Sequence, residues 1–482
     1  MLHWIKKRRG LGLLLLLLLL LLYLLAGAVA PFLSYPEITG ETEERLSLES
    51  FRSGEPGPER AALVETNREA WEERMRLLSM AKERIILSTF DMRPGESTRD
   101  ILSVLLQKAE EGVDVRILVD GVSGAVRMEG KALFYALSSH PNVEIRIYNP
   151  INPLTPWKLM GRMHDKYVIV DERAYLLGGR NTFDYFIGNY TEEHVSYDRE
   201  LLIYNTEPGN SDTSLKELEA YFESVWGLDV CRPFHDDEKL AEREKVQKER
   251  ELLKERQEAL VAANPALFDG SWDYAEHTWE AGKISLLSNP THIYGKDPEV
   301  FYALTELMSQ AKERVILQTP YIVCNGWMLE RLSELGKTVP DIRILLNSVD
   351  NGDNFVASSD YLRHKDEVVD TGIPLWEYDG GISNHGKSVL IDGGLTIVGS
   401  YNLDLRSTYV DTELMLVVEC EELNQELEGH LFAFQEDSRR IIDADTYEVP
   451  EGFPVQTTPF WKRFARAVFG LGTVPKWPTT SP

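Results

Sequence analysis

The chain contains 482 residues, of which 43% are hydrophobic and 10% aromatic, which is enough for roughly two or three domains with packed cores. This composition excludes a collagen-like, mucin-like or wholly disordered protein. Acidic residues outnumber basic ones by 78 to 51, and the formal net charge of −27 opposes binding to a nucleic-acid backbone. The three cysteines (Cys231, Cys324 and Cys420) predict neither a zinc site nor a disulfide framework, and we expect them to be buried.

A membrane anchor is predicted at residues 1–30. A basic cluster at residues 6–9 precedes an uncharged and largely leucine run at residues 11–30, which at about 1.5 Å per residue spans a hydrocarbon core. The basic cluster is expected on the cytoplasmic side, with the rest of the chain outside. A cleaved signal peptide is the alternative, because residues 28–30 resemble a cleavage site. The apolar run is long for a signal peptide, however, and Pro31 would follow the cut.

After the anchor, the chain changes from a polar linker to alternating helices and strands. Residues 31–60 are rich in Pro, Gly, Ser and Glu, which is typical of a tether. Helical patterns at residues 65–84 and 98–111 then alternate with strand-like runs at residues 85–90 and 113–119. This order indicates an α/β domain with a parallel or mixed sheet.

The alternating pattern occurs twice. Residues 81–87 return as residues 311–317, and residues 114–118 return as residues 341–345, at offsets of 230 and 227 residues. A repeat of this length indicates two copies of a whole domain rather than a solenoid. We therefore expect one domain at residues 61–232, a charged helical linker at residues 233–280, and a second domain at residues 281–447.

Two segments outside the repeats have a distinctive composition. Residues 236–260 are dominated by Glu, Lys and Arg, and they favour a solvated helix because the apolar heptads of a coiled coil are missing. Residues 448–482 form a C-terminal tail that contains a basic amphipathic segment. That segment either lies in a membrane interface or packs its aromatic side chains against the globular body. Its aromatic and basic members are Phe460, Phe464, Lys462, Arg463 and Arg466.

A third repeated element carries the chemistry. Each half contains the pattern H-x-K-x4-D, followed by a glycine and, three residues later, an asparagine. One copy would be weak evidence, but two copies with the same following residues inside a domain-scale repeat are a strong signal. The members are His164, Lys166, Asp171 and Asn181 in the first half, and His385, Lys387, Asp392 and Asn402 in the second.

The motif suits an anionic phosphodiester. His and Lys two positions apart on a strand point to the same face, and two halves packed about a pseudo-twofold axis would bring both pairs into one pocket. The ammonium and amide groups would stabilise the phosphoryl oxygens without a metal or cofactor. One imidazole would attack phosphorus while the other protonates the leaving oxygen. Water or another alcohol would then resolve the phosphohistidine.

Each histidine also needs an acidic partner on its second ring nitrogen. Glu413, which lies 28 residues after His385, is the candidate in the second half, and Glu200 is its counterpart when the halves are aligned. The same alignment matches Asp198 with Asp411. Asp171 and Asp392 end their strands and are expected to hold the backbone rather than touch substrate. The histidines without such a constellation are expected to be structural: His140, His277 and His364.

The twin motifs, each with its following G-x-x-N, resemble those of the phospholipase D superfamily over about residues 65–445. Residues 162–181, residues 399–413 and the run at residues 460–463 are similar to bacterial cardiolipin synthases of the type C branch. The resemblance implies two tandem α/β-sandwich domains related by a pseudo-twofold axis. It also implies that His164 is the nucleophile, that His385 is the acid, and that Ser400 joins the lysines and asparagines in binding phosphate. Gly179 replaces the serine that many members carry in the first half.

The sequence therefore predicts a membrane-anchored phosphatidyltransferase acting on phosphatidylglycerol or a similar lipid, with its catalytic domains on the extracytoplasmic face of the cell membrane. A phospholipase D, in which water accepts the phosphatidyl group, is the alternative. A nuclease of the same superfamily is disfavoured by the net charge of −27. A scaffold that binds partners through residues 236–260 is disfavoured because both motifs are intact, and no protein partner is indicated.

Overall fold

A computed structural model describes residues 2–46, 51–191, 195–235, 237–352 and 354–453. Two nine-stranded sheets form the body, one for each half of the chain. In sheet order, the first contains β10 (Trp279–Glu280), β1 (Glu59–Val64), β8 (Glu200–Asn205), β6 (Ala174–Gly178), β5 (Tyr167–Val170), β2 (Arg84–Thr89), β3 (Asp114–Asp120), β4 (Val143–Tyr148) and β9 (Cys231–Pro233). The second contains β11 (Ile284–Ser288), β20 (Leu414–Glu419), β18 (Leu395–Gly399), β17 (Ser388–Ile391), β12 (Arg314–Gln318), β14 (Asp341–Asn347), β15 (Leu375–Tyr378), β21 (Ser438–Ile441) and β22 (Tyr447–Glu448).

The two sheets have the same internal topology. β2, β3 and β4 run parallel in the first sheet, as β12, β14 and β15 do in the second, and antiparallel strands flank them on both sides. The predicted duplication of an α/β domain is therefore confirmed. Two short ladders join other segments, β13 (Ile322–Val323) with β19 (Leu403–Asp404) and β7 (Ser196–Tyr197) with β16 (Ser383–Asn384).

Helices cover the sheets. α3 begins at Asn67, two residues after the start of the predicted helical stretch at residues 65–84, because Thr66 and Glu69 form a reciprocal capping box at its first turn. The helices are α1 (Leu2–Val29), α2 (Gly40–Arg45), α3 (Asn67–Met80), α4 (Glu96–Glu110), α5 (Gly121–Ser123), α6 (Ala132–Ser138), α7 (Ser214–Trp226), α8 (Glu244–Ala263), α9 (Glu299–Ser309), α10 (Gly326–Thr338), α11 (Phe355–Arg363), α12 (Lys365–Val369), α13 (Leu405–Tyr409) and α14 (Glu421–Glu436).

A shared apolar core joins the two halves. Alternate residues of β5 face opposite layers, as the period of a strand requires. Val168 and Val170 enter the core of the first half, whereas Tyr167 and Ile169 enter a core that also contains Leu414 and its neighbours in the second half. Because this core draws on both sheets, the geometry between the halves is fixed by packing. The three cysteines are buried, as expected.

The segment predicted as a tether packs against the second half. Phe32 and Phe51 are buried in the core of that half, and the ring of Tyr35 lies 4.4 Å from that of Tyr409. Arg45 forms an ion pair with Glu299. These aromatic contacts could not be predicted from the sequence, since three rings among many polar residues give no periodicity typical of a helix or strand.

The charged linker is helical, but it is not simply solvated. α8 buries one row of side chains (Val246, Leu253, Gln257 and Leu260) against the first half. Arg256 of this helix also forms an ion pair with the fully buried Asp100 of α4. The helix therefore belongs to the first half. The first two apolar residues of this row, Val246 and Leu253, are seven positions apart. This spacing is too wide to give a clear amphipathic pattern, so the buried face could not be predicted from the sequence.

Residues Leu14–Phe32 form the one helical stretch of the described chain that is long and apolar enough to cross a membrane. Its mean hydropathy is 2.7. The amphipathic segment predicted near residues 459–477 lies outside the described residues.

Candidate active site

The two motif segments meet where the halves join. His164 and Lys166 lie in the extended segment just before β5, and His385 and Lys387 lie in the same position before β17. A bridge between Met163 and Thr412 ties the first motif to the second half, and the β7–β16 ladder ties the second motif to the first half. Each histidine therefore sits beside a strand of the opposite half.

Each histidine binds a carboxylate from the opposite half. Nδ1 of His164 lies 2.9 Å from Oε1 of Glu413, and Nδ1 of His385 lies 2.8 Å from Oδ2 of Asp198. Both carboxylates are buried, while each histidine side chain keeps 11% of its surface exposed. A carboxylate on Nδ1 fixes the orientation of the ring and leaves Nε2 as the nitrogen available for chemistry.

This pairing corrects two expectations. Glu413 contacts His164 rather than the histidine of its own half, and the partner of His385 is Asp198 rather than Glu200. The sheet register gives the reason. Gly178 pairs with Glu200, whereas the equivalent Gly399 pairs with Met415. The sequence alignment of the halves was therefore displaced by two residues in this region, and the structural counterpart of Glu413 is Asp198.

Glu200 belongs to a separate ion-pair cluster. Its carboxylate accepts two hydrogen bonds from Arg74, at 2.8 and 2.6 Å, and lies 3.5 Å from Nη1 of Arg180. All three side chains are buried, with at most 4% of each exposed. The cluster clamps β8 to α3 and, through Arg180, to the end of β1, whose Val64 carbonyl Arg180 also binds.

The motif lysines are buried beside the histidines. Nζ of Lys166 donates to the carbonyl of His164 at 2.5 Å, and Nζ of Lys387 donates to the carbonyl of His385. Lys387 also lies 3.6 Å from the Asp198 carboxylate. The two ammonium groups and the two histidines are thus held in one compact cluster, which is positively charged when the lysines are protonated.

Of the other predicted phosphate ligands, the asparagines and the serine differ in their contacts. Oδ1 of Asn181 accepts a hydrogen bond from the backbone of Asp91 at 3.3 Å, which fixes the amide and leaves its NH₂ group to donate. Oδ1 of Asn402 is buried without a partner among the described residues. Ser400 donates its hydroxyl to Glu413 at 2.5 Å, so this hydroxyl holds the acid rather than facing a phosphate.

The motif aspartates bind the backbone. The Asp171 carboxylate accepts hydrogen bonds from the amides of residues 82–84, and Asp392 does the same with the amides of residues 312–314. Both aspartates have a left-handed backbone, with φ of 50° and 51°. They secure the turns that end β5 and β17, and thereby the strands that follow the catalytic segments.

The two histidine–acid pairs have different electrostatics. Burial, reinforced by the positive charges of Lys166 and Lys387, lowers the pKa of His164 well below its ordinary value. Burial raises the pKa of its partner Glu413 well above the usual range. Burial would also raise the pKa of Asp198, but Lys387 and the hydrogen bond from His385 outweigh it and lower that pKa to about 2. The first pair therefore favours a neutral imidazole, and the second contains a permanent carboxylate.

Several residues around the histidines have no role predicted from the sequence. Phe90 packs edge-on against His164 at 5.0 Å, and Phe186 lies 5.5 Å from His385. Ser407 donates a hydrogen bond to Glu413 at 2.5 Å. Lys296 is fully buried with no hydrogen-bond partner for its ammonium in the described chain. Only their neighbourhood in three dimensions marks these residues, since none falls within a repeated motif. Across the described residues, no group of three or more His, Cys, Asp or Glu side chains has the arrangement of a metal site.

Comparisons with known proteins identify the family of the chain. The chain matches the profile of the family described as "Cardiolipin synthase, PLD-like domain" over residues 75–226 and 304–433. It is 25% identical over 426 residues to cardiolipin synthase C of Escherichia coli, which covers 80% of this chain and 86% of that protein. It is 26% identical over 342 residues to cardiolipin synthase 2 of Bacillus anthracis, covering 70% of this chain and 57% of that protein.

Solved structures with a related fold align over most of the chain. The phosphatidylserine synthase of Haemophilus influenzae aligns with a TM-score of 0.60 and 16% identity, over 90% of this chain and 98% of that one. At this identity the likeness shows a shared fold.

Proposed function

The chain belongs to the family of cardiolipin synthases with phospholipase D-like domains, and from this premise we propose that it is a membrane-anchored phosphatidyltransferase that makes cardiolipin from phosphatidylglycerol. The observation that carries the proposal is the pair of crossed histidine–carboxylate contacts beside two buried lysines. The apolar helix Leu14–Phe32 supports a membrane-held enzyme with a lipid substrate.

In the first step, the Nε2 lone pair of His164 attacks the phosphorus of the donor lipid. A P–N bond forms and the bond from phosphorus to the headgroup glycerol oxygen breaks. His385, supported by the anionic Asp198, gives its Nε2 proton to that oxygen, and glycerol leaves. The lowered pKa of His164 favours the neutral imidazole that this attack requires.

In the second step, the neutral His385 accepts a proton from a headgroup hydroxyl of a second phosphatidylglycerol. The oxygen of that hydroxyl attacks phosphorus, the P–N bond breaks, and cardiolipin is released with both histidines restored. Lys166 and Lys387 balance the charge of the phosphoryl oxygens throughout, and the amide of Asn181 donates to them. Asp171 and Asp392 act only by holding the strands.

Cardiolipin synthesis is tested with the purified full-length chain in mixed micelles of phosphatidylglycerol, with products resolved by mass spectrometry. Cardiolipin and glycerol are expected, and neither should form with the His164→Ala/His385→Ala variant. His364→Ala is the matched control, because that histidine pairs with Glu367 on α12, outside the site. Phosphatidic acid and glycerol without cardiolipin would instead assign a phospholipase D, in which water takes the place of the acceptor lipid.

The assignment of the nucleophile is tested by trapping the covalent intermediate from phosphatidylglycerol labelled in its acyl chains, after acid-free denaturation. His385→Ala is expected to accumulate labelled protein slowly, and His164→Ala is expected to carry none. Labelled protein in His164→Ala would reverse the roles of the two histidines.

A further inference from the structure

A loop beside the membrane helix has the features of a membrane-inserted segment. Residues 149–161, called here the interfacial loop, connect β4 to the His164 motif and contain no acidic residue, although the whole chain carries a net charge of −27. Leu154 is 77% exposed, and Ile151 and Trp157 are more than two-fifths exposed. The loop therefore exposes several large apolar side chains and carries no acidic residue. Such a surface is typical of a site that contacts a membrane or another apolar surface.

The membrane helix lies directly against this loop. The hydroxyl of Tyr23 donates a hydrogen bond to the carbonyl of Leu154 at 2.8 Å. Further along α1, Gly27 packs so closely that a Cβ atom there would lie 2.4 Å from the ring of Pro156. Tyr23 precedes the end of the apolar stretch at Phe32 by a distance of about 14 Å along a helix. If that stretch spans the bilayer, the tip of the loop lies below the headgroups.

The folded body begins directly at the end of the apolar stretch, with no linker between them. Phe32, the last residue of the apolar stretch, is buried in the core of the second half. Tyr35, three residues later, packs its ring against that of Tyr409, with the ring centroids 4.4 Å apart. Because the helix enters the folded body within a few residues, the position of the loop relative to the bilayer is set by packing.

The loop satisfies much of its own backbone, as an apolar surrounding requires. Three of its residues are prolines, which have no N–H group to satisfy. The amide of Leu154 donates to the Asn152 side chain, and the amides of Thr155 and Lys158 donate to carbonyls within the loop. Trp157 and Lys158 at the base are residue types suited to the headgroup region, where an aromatic ring and a cation both find partners.

The base of the loop is fastened to the catalytic segment. The side-chain amide of Asn149 donates to the carbonyls of Lys158 and Gly161, at 2.7 and 2.8 Å. Arg162 closes the other side by donating to the Asn149 carbonyl at 2.8 Å. His164 follows two residues later, so the loop and the catalytic histidine move as one piece.

We propose that the interfacial loop inserts into the bilayer beside α1 and holds the His164 side of the candidate active site at the level of the lipid headgroups. The proposal rests on the proposed function in that α1 spans the membrane and the substrates are membrane lipids. It predicts that lipid substrates reach the two histidines from within the bilayer, without passing through water.

Insertion is tested on the full chain in proteoliposomes with a fluorophore on Leu154→Cys, since the native cysteines are buried. Lipids with a quencher low in their acyl chains should quench this label several-fold more than one on Leu252→Cys. Leu252 is the matched control because it is an exposed leucine on the charged helix α8. Equal quenching at both sites would overturn the proposal. A disulfide-linked dimer of Leu154→Cys without lipid quenching would assign the surface to a second copy of the chain.

A kinetic test separates docking from catalysis. Leu154→Asp should lower turnover of long-chain phosphatidylglycerol in bilayers by about tenfold or more, because a carboxylate enters the apolar phase poorly. Turnover of a short-chain phosphatidylglycerol dispersed as monomers should be unchanged. An equal loss on both substrates would show that the loop acts only by positioning His164 and would overturn insertion. If the wild-type chain used neither substrate, the proposed function would fail, while the quenching experiment would still decide whether the loop inserts.

Discussion

Replacing Asp198 with Asn removes the negative charge beside His385 and keeps the size of the side chain. Asp198 is fully buried, and its Oδ2 lies 2.8 Å from Nδ1 of His385 and 3.6 Å from Nζ of Lys387. A neutral amide at this place cannot support an imidazolium through charge. The proposed proton donor for the leaving oxygen should therefore be weakened, while the proposed nucleophile His164 and its partner Glu413 remain intact.

The size of the effect follows from the carboxylate itself. Its pKa of about 2, against an ordinary value of 3.8, corresponds to roughly 2.5 kcal/mol in favour of the anion. That figure is what remains after burial, which raises the pKa, is outweighed by the contacts with Lys387 and His385, so it sets the scale of the loss at His385. At 1.4 kcal/mol for each factor of ten, we expect Asp198→Asn to slow phosphatidyl transfer by roughly ten- to sixtyfold.

The assay is a single-turnover measurement of label transfer from phosphatidylglycerol to the protein, with glycerol release followed in parallel. Glu200→Gln is the comparison, because the sequence alignment placed Glu200 where the structure places Asp198. Removing that charge leaves Arg74 and Arg180 buried without their anion, which should lower the free energy of unfolding by about 3 kcal/mol. The rate for each folded molecule should change little. A normal rate for Asp198→Asn together with a large loss for Glu200→Gln would refute the crossed pairing.

Three further results are expected. Gly179→Ser should displace Asp198, because a Cβ atom at residue 179 would lie 2.2 Å from its carboxylate. This variant should therefore slow phosphatidyl transfer as Asp198→Asn does. Gly393→Ser is the control and should leave the rate unchanged, because a Cβ atom at residue 393 would have no atom within 4 Å. In a steady-state pH series, the KM for phosphatidylglycerol should rise by up to about tenfold per pH unit above pH 7. The reason is that burial lowers the pKa of Lys166 to about 7, and only the protonated lysine attracts phosphate. Lys166→Met should abolish this pH dependence. Asp392→Asn should lower the free energy of unfolding by about 2 kcal/mol in a denaturant titration at pH 7. This loss should shrink as the pH falls below about 4, because the carboxylate of the unfolded chain is protonated first and that of the folded chain follows at lower pH. Backbone hydrogen bonds hold the pKa of folded Asp392 below its usual range despite its partial burial.

The sequence predicted the parts of the molecule that repeat locally. The helix–strand alternation, the two sheets and the convergence of both motifs all follow from short patterns that occur twice. The alternating burial along β5 was also predictable, since Val168 and Ile169 must face opposite layers in a strand. These features depend on residues that are close together in the sequence, so they can be predicted from one sequence alone.

The partner of each histidine could not be predicted in the same way. It depends on the register of β6 with β8 and of β18 with β20, and a displacement of two residues keeps the same side chains on the same face. Glu200 and Asp198 therefore satisfy the strand pattern equally well. The deciding fact is that the halves pack with each acid opposite the other half's histidine, and no local pattern records that contact.

The crossed pairs explain how two copies of one domain can take different chemical roles. In the first half, Gly179 leaves room for the short side chain of Asp198, which lies against Lys387 and stays ionised. In the second half, the longer Glu413 accepts hydrogen bonds from Ser400 and Ser407, and its pKa is raised by burial. Glycine with aspartate in one half and serine with glutamate in the other are thus matched in size. Because each acid serves the opposite histidine, the first half sets the protonation of His385 and the second sets that of His164. The proposed division between acid and nucleophile is therefore a property of the assembled pair of domains, and neither half contains it alone.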